Sequence, residues 1–278
     1  MKQVKISFLG CGNMGRSLIG GLIGNGYPPE LLRGADPDPA QREQLARLFN
    51  IAVVEDNNDA ASDAAVVVLA VKPQFIGTTI TEIADTLKQQ RPLLMSIAAG
   101  VRLSTISHNI GDKPPIVRVM PNTPALIQAG AAALYANEHV SDDQRELAEA
   151  IMRSVGIAIW LDDEARLDAV TALSGSGPAY FFLIMEVMEK AAIKLGLGEE
   201  QARLLTLETA FGAAKMAMES NHDPATLRQQ VTSPGGTTEQ ALQVLLEGGI
   251  EKLFGDALSA ANNRSIELAD EFGMGSKV

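Results

Sequence analysis

The segment Lys5-Ile6-Ser7-Phe8-Leu9-Gly10-Cys11-Gly12-Asn13-Met14-Gly15 decides the fold. Its first half is a short apolar run of strand character. Its second half is the spacing G-x-G-x-x-G, and helical patterning runs on from Gly15 to Gly24. A strand, a glycine turn and a helix in direct succession open a βαβ unit that binds a dinucleotide. Gly10 makes the tight turn, Gly12 lets the main chain approach a pyrophosphate, and Gly15 lets the helix pack closely on the sheet. The helix N-terminus adds N–H groups and a positive dipole end. A glycine-rich turn without a ligand is the competing reading, and the strand before it and the helix after it weigh against that.

Working outward, five more strand candidates follow Val4 to Leu9: Leu31 to Ala35, Ala52 to Val54, Ala65 to Val71, Leu93 to Ile97 and Ile116 to Val119. Helical segments such as Ala40 to Phe49 and Phe75 to Leu87 lie between them, long enough for right-handed crossovers. The run from Val66 to Val71 is apolar on both alternating faces, which suits a central parallel strand. The first half is therefore expected to be an α/β Rossmann domain, a doubly wound parallel sheet over residues 1–162. After Trp160 the β-branched runs thin out, and long segments rich in Ala, Leu, Met and Glu take over. Ala179 to Leu195, Glu200 to Glu219, Thr238 to Leu246 and Ile250 to Glu271 are expected helices of a C-terminal all-helical domain over residues 163–278.

The acidic residue that a dinucleotide site needs about 20 residues past the glycines is met by Asp36, 21 residues after Gly15. A carboxylate there favours the free ribose hydroxyls of NAD. Nearby, Asp38 can cap the next helix and Arg42 can approach a phosphate, so the residues alone leave NAD and NADP both open. Val71-Lys72-Pro73 and Ser96-Ile97-Ala98-Ala99-Gly100 end two further strands at the edge where open sheets bind ligands.

Composition sets limits on partners. The 278 residues carry 34 acidic and 23 basic side chains, a formal charge of -11, so the global field repels nucleic acid and anionic lipid. One cysteine, Cys11, allows no internal disulfide, and cytoplasm is the expected compartment. No segment is apolar for long enough to suggest a membrane span. His108, His139 and His222 have neither triad nor metal spacing, so no metal is expected.

In the C-terminal half, Thr232-Ser233-Pro234-Gly235-Gly236-Thr237-Thr238-Glu239 breaks one helix and opens the next. The N–H groups of Gly236, Thr237 and Thr238 would form an anion cradle suited to a carboxylate, and plain helix capping by Ser233 or Thr237 is an equally weighted alternative. Ser174-Gly175-Ser176-Gly177-Pro178-Ala179-Tyr180 opens another helix. It lacks the glycine two positions before Ser176's counterpart in a nucleophile elbow, because Ser174 stands there.

Taken in order, these motifs, with Met120-Pro121-Asn122-Thr123-Pro124, closely resemble the pyrroline-5-carboxylate reductase family over nearly the whole length. The resemblance implies reduction of 1-pyrroline-5-carboxylate to L-proline, with NADPH as the usual donor and NADH often accepted. It implies cofactor contacts at Leu9, Gly10, Cys11, Gly12, Asn13, Met14, Asp36, Asn57, Val71, Lys72, Pro73, Ala98 and Ala99. It also implies substrate contacts at Glu164, Ser233, Gly236, Thr237 and Thr238, with the Thr238 hydroxyl on the ring nitrogen as the catalytic group. A homodimer, in some members a homodecamer, is implied as well. Asp36 departs from the neutral residue of several relatives and weakens the implied preference for NADPH. A related imine or hydroxy-acid reductase and a non-catalytic dinucleotide-binding regulator are the alternative readings.

Overall fold

A computed structural model describes residues 2–274. They fall into two compact units: residues up to Ser176 together with those from Ala260 onward, and Gly177–Ser259.

In the first unit, eight strands form one sheet: β1 (Ile6–Leu9), β2 (Leu32–Ala35), β3 (Ala52–Val54), β4 (Val66–Leu69), β5 (Leu93–Ser96), β6 (Ile116–Met120), β7 (Gly130–Ala136) and β8 (Gly156–Trp160). Their order is β3-β2-β1-β4-β5-β6-β7-β8. β1 pairs in parallel with β2 and β4 at once, Ile6 facing Leu32 on one side and Val66 on the other. The chain thus reverses its direction of travel across the sheet between β1 and β4, and a doubly wound sheet opens its ligand crevice at that switch point. The sheet is parallel except at β6 and β7, which pair antiparallel with Arg118 opposite Tyr135.

Both faces are covered, so β1, β4 and β5 are buried at every position. Alternate side chains supply the two cores. Phe8, Val68, Met95 and Val117 pack under α1 (Asn13–Gly24) with Leu18 and Leu22. Leu9, Val67, Leu69 and Leu94 pack on the other face, with Ile80 and Ile83 of α4 (Ile76–Gln90) and Ile106 of α5 (Leu103–Ile110). Two smaller helices, α2 (Pro39–Phe49) and α3 (Asn57–Ala61), follow β2 and β3, started by the side chains of Asp38 and Asp56. A capping box between Ser141 and Gln144 starts α6 (Asp142–Arg153).

β7 and β8 were not expected from the sequence. Gly130-Ala131-Ala132-Ala133 offers no β-branched side chain, and β-propensity reads packing surface rather than backbone preference. Here the pairing partners β6 and β8 supply what the local sequence lacks. α7 (Arg166–Val170) then runs into a turn of π-helix, Thr171–Gly175.

The second unit is helical: α8 (Gly177–Lys194), α9 (Glu199–Glu219), α10 (Pro224–Gln230), α11 (Thr237–Glu247) and the first ten residues of α12 (Ile250–Met274). α8 packs on α9. Much of its apolar surface is nevertheless open, with Phe181, Phe182, Phe211 and Leu253 each more than 60% exposed.

Candidate active site

Each glycine of the first loop has a steric reason. Gly10 has φ +90°, and a Cβ there would lie 2.8 Å from the Ala70 carbonyl and the Val71 nitrogen, so only glycine lets β1 and β4 close the turn. A Cβ on Gly15 would come 2.5 Å from the Gly10 carbonyl oxygen. At Gly12 nothing lies within 4 Å of the missing Cβ. That space is open towards the N-terminus of α1, which Gly12 begins without a side-chain cap. Bare N–H groups behind an unobstructed glycine fit a pyrophosphate.

Asp36 directly follows β2 beside this loop. Its Oδ2 accepts the N–H of Cys11 at 2.9 Å and its Oδ1 accepts the N–H of Asp38 at 3.0 Å. Asp38 in turn accepts the N–H of Ala40 at 2.9 Å as the cap of α2, so Asp36 and Asp38 have separate duties. Burial, and the negative charge of Asp36, push the Cys11 thiol up to about 12. Arg42 lies over the same corner, donating to the main-chain carbonyls of Asp36 and Pro37, both at 2.9 Å, and pairing with Glu55 at 3.2 Å.

The remaining cofactor candidates lie along the same edge of the sheet. Asn57 begins α3 and donates to Glu82 at 2.7 Å. Val71, exposed Lys72 and Pro73 follow β4, and Pro73 opens a short 3-10 turn. Ala98 is buried and Ala99 exposed after β5. Leu9 to Met14, Asp36, Asn57, Val71 to Pro73 and Ala98-Ala99 thus line the carboxyl ends of successive strands around the switch point.

Glu164 has a defined place in the first unit. Its Oε1 accepts the Leu103 N–H at 2.8 Å, starting α5, and pairs with Arg118 at 3.0 Å. Arg118 is 4% exposed, a cation inside the apolar run of β6. A buried guanidinium without its partner is costly, so the pair fixes the segment before α7. Asn122 makes a second link. It donates to the Ser174 carbonyl at 3.1 Å and accepts the Ala131 N–H at 2.8 Å, joining the π-helical turn to β7. Neither Arg118 nor Asn122 was a sequence candidate for a role of its own. The signal for Arg118 is its charge within Ile116-Val117-Arg118-Val119.

In the second unit the loop before α11 is a turn. The Ser233 carbonyl accepts the Gly236 N–H at 3.0 Å, with Pro234 and Gly235 at the corners and Gly235 at φ +71°. Proline followed by a positive-φ glycine is the signature of a type II turn. Gly236 then begins α11, and no side chain caps it. Ser233 and Thr237 therefore do not act as helix caps here. Exposed Thr237 and half-buried Thr238 occupy the first two helical positions, where N–H groups have no partner within the helix. The Gly236 N–H, by contrast, is taken by the turn. Glu239 Oε2 accepts the Gly235 N–H at 2.8 Å, which places a carboxylate on the loop.

Comparison with known proteins agrees with both halves. Residues 164–268 match the model of the pyrroline-5-carboxylate reductase dimerisation domain, and residues 5–100 match that of the coenzyme F420-dependent NADP oxidoreductases. The pyrroline-5-carboxylate reductase of Pseudomonas aeruginosa is 51% identical over 273 residues, 98% of this chain and 100% of its own length. Among solved structures, a pyrroline-5-carboxylate reductase from Coxiella burnetii superposes with a TM-score of 0.93 at 46% identity, covering 96% of this chain and 99% of that one. The Plasmodium falciparum pyrroline carboxylate reductase, solved with NADP bound, gives a TM-score of 0.85 at 30% identity, with 97% and 99% covered. With half of its residues shared across essentially the full length of a known relative, this chain belongs to the pyrroline-5-carboxylate reductase family.

Proposed function

We propose that the chain reduces 1-pyrroline-5-carboxylate to L-proline, the last step of proline biosynthesis, with NADPH as donor and NADH as an alternative. The observation that carries this reading is the uncapped start of α11, which leaves main-chain N–H groups at Thr237 and Thr238 behind the Ser233-Pro234-Gly235-Gly236 turn. Two such groups at a helix N-terminus bind a carboxylate without a basic side chain, as a chain of net charge -11 requires.

When bound, the reduced nicotinamide supplies the hydride that saturates the imine carbon. The protein's own part is positional and protic. The Gly10 to Gly15 loop and the N-terminus of α1 hold the pyrophosphate, Asp36 and Asn57 flank the adenosine end, and Ala98-Ala99 leave room for a flat ring. The loop from Ser233 to Thr238 holds the substrate carboxylate. The Thr238 hydroxyl donates to the ring nitrogen, which gains a proton as the C=N bond becomes CH–NH. Glu164, which the family resemblance gives as a further substrate contact, holds its own segment through the Leu103 N–H and Arg118.

Thr238→Ala tests the assignment. Turnover of pyrroline-5-carboxylate, followed by loss of NADPH absorbance, is expected to fall about 10²-fold or more, while NADPH affinity stays unchanged. Unaltered turnover would remove Thr238 from the mechanism, and a wild-type chain inactive on this substrate would favour a different reductase or a regulator.

The open apolar side chains of α8 and α9 support assembly as a homodimer, because a patch of that kind needs cover from a partner; a decamer is what the family resemblance implies for some members. Contrary to the expectation from the sequence, the run Arg166–Lys194 is long and apolar enough to cross a membrane by length and composition, and little of it is buried within the chain. Cover by a second subunit fits the dimerisation match over 164–268. Light scattering that gives the mass of a single chain at micromolar concentration would refute the assembly. The cytoplasm is the proposed compartment, in keeping with the single, buried thiol.

A further inference from the structure

The connections after β2 and β3 mark the adenosine end of the coenzyme site, and both are acidic: Asp36-Pro37-Asp38 and Glu55-Asp56. Neither contains a basic residue. The cation at this corner comes from α2, where the Arg42 side chain turns back onto the main chain of Asp36 and Pro37. It therefore lies against the residue whose position marks the ribose hydroxyls. Its Nη1 hydrogens go to the two carbonyls and one Nη2 hydrogen goes to Glu55. A guanidinium has five N–H groups, so two of them remain for a ligand.

We infer that Arg42 is the group that meets the 2′-phosphate of NADPH, and that Glu55 restrains it and so determines how far this chain favours NADPH over NADH. The inference rests on the coenzyme reading given above. Glu55 acts in two ways. Its carboxylate offsets the guanidinium charge at 3.2 Å, and it adds repulsion towards an incoming dianion. It also holds the guanidinium plane in one orientation. NADH, which has a hydroxyl at the same point, is indifferent to both effects. The Arg42 side chain is 22% exposed and that of Glu55 75%, so solvent screens the pair and the effect is moderate rather than absolute. A site of this kind accepts both coenzymes, and one side chain changes the ratio.

Calorimetry with two coenzyme fragments on the full-length protein tests this apart from catalysis. The fragments are 2′,5′-ADP, which carries the 2′-phosphate, and 5′-AMP, which does not. Glu55→Gln is expected to tighten 2′,5′-ADP about 3- to 10-fold relative to 5′-AMP, with the gain shrinking as salt is raised. Arg42→Gln is expected to loosen 2′,5′-ADP about tenfold or more relative to 5′-AMP. The ratio of KM values for NADPH and NADH should move in the same directions with kcat little changed. If both fragments bind and neither variant moves their ratio, the specificity assignment is wrong and the coenzyme site stands. If neither fragment nor NADPH binds the wild-type protein, the coenzyme site and this inference fail together.

Discussion

The main-chain N–H of Cys11 donates to Oδ2 of Asp36 at 2.9 Å, a bond spanning 25 residues that ties the glycine loop to the end of β2. The second oxygen of the same carboxylate holds the N–H of Asp38, so one side chain organises the connection after β1 and the one after β2. Asp36→Ala strands an N–H on a buried residue, which costs about 1–3 kcal/mol. Asp36→Asn keeps one acceptor and should lose about half as much. Urea unfolding of the three proteins measures the difference, and equal stability of all three would mean that the loop holds its shape without Asp36.

The Cys11 thiol is expected to be inert. Burial and the charge of Asp36 raise it from 9.0 to about 12, which lowers its thiolate fraction at pH 8 about a thousandfold. Iodoacetamide labelling of the native protein should be slower than that of the unfolded chain by at least this factor. The sign of the stability effect follows from the upward shift. The contribution is complete below about pH 9 and is lost as pH rises from 9 to about 12, and Cys11→Ala should abolish that part of the alkaline loss. Rapid labelling of native protein at pH 8 would contradict the buried, protonated thiol.

Gly10 and Gly12 separate folding from binding. Gly10→Ala places a Cβ 2.8 Å from main-chain atoms of Ala70 at φ +90°, neither of which can yield, and should cost about 2 kcal/mol or more. Gly12→Ala meets nothing within 4 Å, so stability should change by less than about 1 kcal/mol. The methyl group instead enters the space a pyrophosphate needs, and NADPH affinity should fall about tenfold or more. Thermal unfolding and coenzyme titration of both variants give the comparison. Intact affinity in Gly12→Ala would place the pyrophosphate elsewhere.

These residues also show what the sequence carries. The first loop is legible because its determinants are local: a strand, three glycines and a helix within 20 residues. Asp36 was legible by its distance from Gly15, and its bond to Cys11 was not, because that bond exists only once β1 and β2 lie side by side. β7 was hidden for a related reason, since its alanines become a strand only between β6 and β8. At the second loop the sequence promised three N–H groups for an anion. Folding commits that of Gly236 to Ser233, because Pro234-Gly235 makes a turn that needs it. Arg118 and Glu164 lie 46 residues apart, and neither gives a local sign of the other.

Glu239 offers a last test at that second loop. Its carboxylate accepts the Gly235 N–H at 2.8 Å from the first turn of α11, so an anion already sits on a loop proposed to bind an anionic substrate. Two effects compete there. The charge repels a carboxylate arriving at Thr237 and Thr238, while the hydrogen bond holds Gly235 at its φ of +71°. Glu239→Gln keeps an acceptor for Gly235 and removes the charge, so it isolates the first effect. The substrate KM is expected to fall about 2- to 5-fold with kcat nearly unchanged, the change fading at high salt. Stability should drop by about 0.3–1 kcal/mol, because an acidic side chain at a helix N-terminus is lost. Glu239→Ala removes both effects, and a higher KM in that variant alone would separate loop positioning from charge. A raised KM in Glu239→Gln would mean that the carboxylate assists binding, contrary to an anion cradle at the start of α11.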